Sequence, residues 1–182
     1  TGLSYQERQN AGQIVTLMGL ALLFAYLFLV AQYESWTIPL SVMLSVLFAV
    51  MGALLGLELT GGDMSIYTQL GMVMLIGLAG KNAILMVEFA KTARESGLSI
   101  IEAAKQGASI RFRAVMMTAW SFLFGVLPLV FATGAGSASR RAIGITTFAG
   151  MLSATLIGIF FIPFLFTLFE TLREKFHAWR RS

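Results

Sequence analysis

Charge spacing constrains this chain more than any other feature. Four stretches, 14–31, 36–57, 114–132 and 142–169, contain no Asp, Glu, Lys or Arg, and a fifth, 64–90, contains only Lys81 and Glu88. A helix rising 1.5 Å per residue needs about 20 apolar residues to cross roughly 30 Å of hydrocarbon, which is the scale of each stretch. The remaining charges gather between the stretches, as they do when each cluster sits in water and each stretch in lipid. Composition agrees: 57% of residues are hydrophobic, 12% are charged and the mean hydropathy is +0.80, against about 25% charged in soluble domains. The expected fold is an all-α membrane protein, a bundle of about five transmembrane helices with no separate soluble domain.

The break between the first two spans, Gln32 to Ser35, is long enough only for a tight turn, so they should form a hairpin. Glu58 to Asp63, with Gly61 and Gly62, reads as the next loop. In the polar stretch from Lys91 to Arg113, Ser99 precedes Glu102 by three residues in a capping-box pattern, and Leu98, Ile101, Ala104 and Ala108 recur at helical spacing. That predicts a short amphipathic helix over 99–110 lying on the membrane surface. Residues 133–139 read as a small-residue loop leading to Arg140 and Arg141, and 173–182 as a polar, basic tail. Lys91, Arg94, Lys105, Arg111 and Arg113 share a side with Arg173, Lys175, Arg180 and Arg181, whereas Arg8, Arg140 and Arg141 lie opposite. Nine against three puts the long basic loop and the C-terminus in the cytoplasm and Thr1 outside.

Several function classes fall away. The net charge of +4 and the pI near 9.8 come from helix-end residues facing a bilayer, not from a solvated basic face, so no nucleic-acid partner is expected. Without cysteine there is no disulfide, thiol catalysis or Cys-based metal site, and the single His177 lies in the basic tail. Gly134, Ala135 and Gly136 lack the Gly-Lys-Ser/Thr ending of a phosphate loop. No Ser-His-Asp set, metal-ligand cluster or nucleotide motif is present, so neither an enzyme nor a cofactor is expected. Thr1 to Gly12 is too polar for a signal peptide, and the chain reads as cut from a longer protein.

Lys81 is the most informative residue. A lysine this deep in an apolar helix costs about 2.5 to 3.5 kcal/mol on insertion scales and demands a partner or a wet cavity, so it should face the bundle interior. Lys91 is ten residues on, roughly 15 Å along a helix, too far for easy snorkelling. Glu88 lies seven residues along the same face, near the interface, and Asn82 could hydrogen-bond between helices. Glu34, Glu58 and Asp63 fall in turns, Glu102 on the surface helix and Glu170 at the start of the tail, so no deep carboxylate remains for Lys81 within this chain. Charge accounting therefore predicts an acid on a membrane segment outside it. Gly52 with Gly56, and Gly150, Ala154 and Gly158, have the spacing that lets helices approach closely. Pro128 and Pro163 suggest kinks, and Tyr33, Trp36 and Trp179 suggest interfacial anchors. The ten Met and fifteen Phe suit packing and lipid contact better than a drug-binding surface.

The stretch from Gly77 to Lys91, Gly-Leu-Ala-Gly-Lys-Asn-Ala-Ile-Leu-Met-Val-Glu-Phe-Ala-Lys, resembles a helix signature of the resistance-nodulation-cell division transporters, in the AcrB-like multidrug branch. Gly2 to Glu7, Tyr33 to Trp36, Arg111 to Thr118 and Thr133 to Ser137 resemble further family motifs in the same order, so the likeness covers the whole chain. It implies the last five helices of a pseudo-symmetric twelve-helix domain, 14–31, 36–57, 64–90, 114–132 and 142–169. Residues 1–12 would then end a periplasmic porter region, 13–172 form the membrane domain and 173–182 the cytoplasmic tail. It further implies a proton-driven multidrug antiporter of the bacterial inner membrane, contributing to antibiotic resistance, with protons as coupling ion and no other cofactor. The family's pumps are homotrimers that work with a periplasmic adaptor and an outer-membrane channel. In the family the lysine matching Lys81 pairs with two aspartates from the N-terminal half. The threonine matching Thr118 belongs to the same proton-relay cluster, and the arginine matching Arg111 lies at its cytoplasmic side. Other cargo, such as lipid or metal ions, and a non-transporting scaffold remain alternatives.

Overall fold

The computed structural model describes residues 2–180, without the side chains of residues 2–11 and 14. Among the described residues the chain forms five α-helices: α1 Gly2–Tyr33, α2 Ile38–Leu59, α3 Ile66–Glu95, α4 Ile100–Val130 and α5 Ser137–Trp179. All five are long and apolar enough to cross a membrane. The 43 residues of α5 extend about 65 Å, roughly twice the hydrocarbon thickness, so the ends carrying Arg140, Arg141 and the Glu170–Arg173 pair leave the lipid core.

Local chemistry sets the helix ends. α2 starts after Thr37 with Pro39 in its first turn, where a missing N–H costs nothing. It stops in a Schellman arrangement: Gly61 adopts φ +64°, its N–H donates to the Glu58 carbonyl and that of Gly62 to the Leu57 carbonyl. α3 stops before Gly97, at φ +101°, and α4 begins three residues later at Ile100, with Ser99 as its N-cap. The capping box is formed there, the Ser99 hydroxyl accepting from the Glu102 N–H at 3.3 Å while the Glu102 carboxylate accepts from the Ser99 N–H at 3.3 Å.

Here the structure differs from the expected boundaries. Residues 100–110 do not form a separate helix but the first turns of the same helix that continues to Val130. No glycine or proline breaks the chain between the polar and apolar parts except Gly107, which is tolerated because it packs against α3. The polar 2–12 stretch is likewise continuous with α1, and the basic tail continues α5 as far as Trp179. Pro128 and Pro163 both lie inside uninterrupted helices.

α5 is the centre of the bundle and packs against α2, α3 and α4, while α1 lies along α2. The α2–α5 seam is made by small residues: a Cβ on Gly52 would collide with the Ser153 side chain, and one on Gly56 with Ala149. The Ser153 hydroxyl donates to the Phe48 carbonyl at 3.0 Å across that seam. Gly150 admits Leu75 of α3, whereas Gly158 makes no comparably close approach. The turn between α1 and α2 is pinned from inside, which overturns the reading of Tyr33 as an interfacial anchor. Tyr33 is 3% exposed, its hydroxyl donating to the Ile84 carbonyl at 3.0 Å, because its ring fills the angle between α1 and α3. Trp36 and Trp179 are exposed.

Candidate functional site

Lys81 stands near the midpoint of α3, about 22 Å from either end of the helix. Its side chain is exposed and lines a groove of about 370 Å³ between α1, α2 and α3. The other lining residues, among them Leu22, Leu29, Val42, Val46 and Ile84, are all apolar. Among the described residues no hydrogen bond or ion pair reaches the ammonium. The expectation that Lys81 faces inward is not met within these five helices, and the reason is packing. The inward face of α3 is the stripe of Leu75, Ala79, Ala83, Met86 and Ala90, which is buried against its neighbours with neither room nor counter-charge for an ammonium.

Asn82, the next residue, turns the other way. It is half-buried and borders a cavity of about 20 Å³ shared with Ser45, Thr155 and Gly158. The Ser45 hydroxyl donates to the Val42 carbonyl at 2.6 Å and that of Thr155 to the Met151 carbonyl at 2.7 Å, so each retains its acceptor lone pairs. The space suits a single water-sized polar bridge between helices.

Arg111 and Thr118 lie on α4. The guanidinium carbon of Arg111 is 5.5 Å from the centroid of the Phe89 ring on α3, and its Nε is buried without an acceptor. Thr118 is exposed and its hydroxyl is occupied by its own helix, 3.0 Å from the carbonyls of both Ala114 and Val115. Glu88 is exposed on α3. No hydrogen bond or ion pair among the described residues joins any two of Lys81, Asn82, Glu88, Arg111 and Thr118. The chain thus carries its candidate residues on two neighbouring helices without closing them into one cluster.

A second polar group, at the end bearing the Lys91–Arg113 charges, escaped the sequence reading. Arg94 pairs with Glu174, and also donates to the Leu98 carbonyl at 2.7 Å, joining the end of α3 to α5. Arg173 pairs with Glu170 at 3.3 Å. Glu170, expected at the start of a solvated tail, is 7% exposed because α5 continues past it and folds it against the bundle. Its i, i+3 spacing from Arg173 was the available signal. Lys91 donates to the Tyr33 carbonyl at 3.1 Å and lies 5.6 Å from that ring, capping the end of α1. Among the described residues there is no cluster of His, Asp or Glu able to hold a metal ion.

Comparison with known proteins agrees with these elements. The family model described as the AcrB/AcrD/AcrF family matches residues 1–170. The toluene efflux pump membrane transporter TtgB of Pseudomonas putida (strain DOT-T1E) is 44% identical over 172 residues, covering 94% of this chain and 16% of that protein. The multidrug resistance protein MdtF of Escherichia coli (strain K12) is 45% identical over 177 residues, covering 97% of this chain and 17% of that protein. The multidrug export protein AcrF of the same strain is 44% identical over 169 residues, covering 92% and 16%. This chain therefore spans about a sixth of the length of the curated relatives it matches. Five apolar helices in this arrangement, matched along nearly their whole length, make the chain a member of the AcrB/AcrD/AcrF family of resistance-nodulation-cell division transporters.

Proposed function

We propose that this chain is the C-terminal membrane part of a proton-driven multidrug efflux pump and that Lys81 supplies the ammonium of its proton relay. The observation that carries the reading is the ammonium itself: mid-helix, at the edge of an apolar groove, with no counter-charge among the described residues. Such a group is costly in lipid unless an acid is brought to it. The acid comes from the N-terminal half of the longer polypeptide. Two carboxylates close together in low dielectric cannot both stay ionised unaided, so a nearby ammonium holds them charged, and protonation releases it. Release changes which groups Lys81 attracts, and a change of partner shifts α3 against its neighbours.

Arg111 lies along the cytoplasmic approach to that centre, and Thr118 receives the ammonium or a bridging water when its hydroxyl turns from its own helix. Asn82 and Glu88 support the path, Asn82 through the polar cavity it borders and Glu88 at its cytoplasmic mouth. The protein sits in the bacterial inner membrane with Thr1 periplasmic and the C-terminus cytoplasmic. It assembles as a homotrimer with a periplasmic adaptor and an outer-membrane channel, and uses protons as coupling ion with no further cofactor.

The test is Lys81→Ala in the full-length parent, with expression and trimer content measured alongside. Efflux of a fluorescent substrate is expected to fall to the background of a strain lacking the pump. Efflux at the parental rate from normally expressed protein refutes the relay role.

A further inference from the structure

Arg111 lies one helical turn beyond Gly107, and that glycine is where α4 meets the backbone of α3. A Cβ at Gly107 would fall 2.7 Å from the Ala90 nitrogen. The close approach brings the next turn of α4 against Phe89, the neighbour of Ala90, and the Arg111 guanidinium settles 5.5 Å from that ring's centroid. The Arg111 Nε is buried and meets no acceptor among the described residues. A partly desolvated guanidinium needs compensation, and the negative face of an aromatic ring provides it without a carboxylate.

We propose that Phe89 is the positioning residue for Arg111. The ring holds the guanidinium on the α3–α4 seam, where a long flexible side chain would otherwise snorkel toward the interface. Two physical consequences follow. The ring does not titrate, so its hold on the cation persists while protons pass. It also brings no carboxylate of its own, so water or a carboxylate on the path can still accept from the terminal N–H groups. The inference rests on the reading of Arg111 as part of the proton path given above, and adds to it the group that keeps the cation in place.

The test uses the full-length transporter in proteoliposomes, with substrate transport driven by an imposed proton gradient. Phe89→Leu is expected to slow transport between about twofold and thirtyfold, the range a desolvated cation–π contact supports, while Phe89→Trp retains the parental rate. In an Arg111→Gln background, Phe89→Leu is expected to add no further loss. Progressively fluorinated phenylalanine at position 89 keeps the ring's shape while draining its negative face, and transport should fall in step, which separates positioning from folding. Equal rates for the Leu and Trp variants, a flat fluorination series, or multiplied losses in the double variant overturn the inference. Loss in Arg111→Gln alongside a parental rate in Phe89→Leu overturns it alone, whereas a parental rate in Arg111→Gln overturns the proton-path reading beneath it as well.

Discussion

The α2–α5 seam and the Lys81 groove lie on opposite accounts of the same chain. At the seam the close approaches are matched: Gly52 and Gly56 receive Ser153 and Ala149, and the Ser153 hydroxyl reaches the Phe48 carbonyl. In the groove an ammonium lies among aliphatic side chains with nothing of opposite sign near it among the described residues. A surface finished by this chain packs small residues together, because in lipid close van der Waals contact and internal hydrogen bonds drive helix association. The groove, by contrast, shows a charge that the described residues do not neutralise. On the function proposed above, that difference marks the groove as the docking place of an acid-bearing segment.

Four substitutions break or sharpen this contrast. Lys81→Leu in an isolated α3 segment, scored for membrane insertion, should favour insertion by about 3 kcal/mol, since the charge is unpaid within this chain. The same change in the full-length pump should abolish transport, so one residue is a liability alone and a necessity when assembled. Unaltered insertion would show that Lys81 already escapes the lipid. Gly52→Leu should cost about 2 to 3 kcal/mol of bundle stability, read from unfolding in mild denaturing detergent, because the Ser153 backbone would have to retreat. Wild-type stability would mean that the seam is loose.

Ser99→Ala should cost about 1 kcal/mol by removing the capping box that starts α4, with amide exchange rising in its first turn. Glu174→Gln removes the partner of Arg94 and, on a half-exposed pair, should change stability by less than about 1 kcal/mol. A larger loss would mark that pair as part of the seam-like, completed class.

Much of this architecture is legible in the residues. Four charge-free stretches and a fifth that holds only Lys81 and Glu88 locate five spans, and the capping box at Ser99 and the glycine at 61 mark ends that the structure keeps. Helix continuity is less legible. The polar 100–110 stretch and the apolar span after it form one helix, because hydropathy changes along α4 while its backbone hydrogen bonding does not. Tyr33 and Glu170 were misjudged for one shared reason: amphipathic and charged residues near a span's end look interfacial until the packing of neighbouring helices is known. Arg111 was marked by resemblance, but its aromatic neighbour was not, since Phe89 and Arg111 are distant in the chain and meet only where Gly107 lets α3 and α4 touch.

The residues by themselves determined the lipid solvent, the number of spans and the presence of one ammonium deep in an apolar helix, since hydropathy and charge spacing are properties of composition along one dimension. Tertiary structure alone decided which face of α3 is inward, which small residues close the seams and which ring faces Arg111. Those depend on the rotation of each helix about its axis, and rotation is chosen by the neighbours a helix packs against.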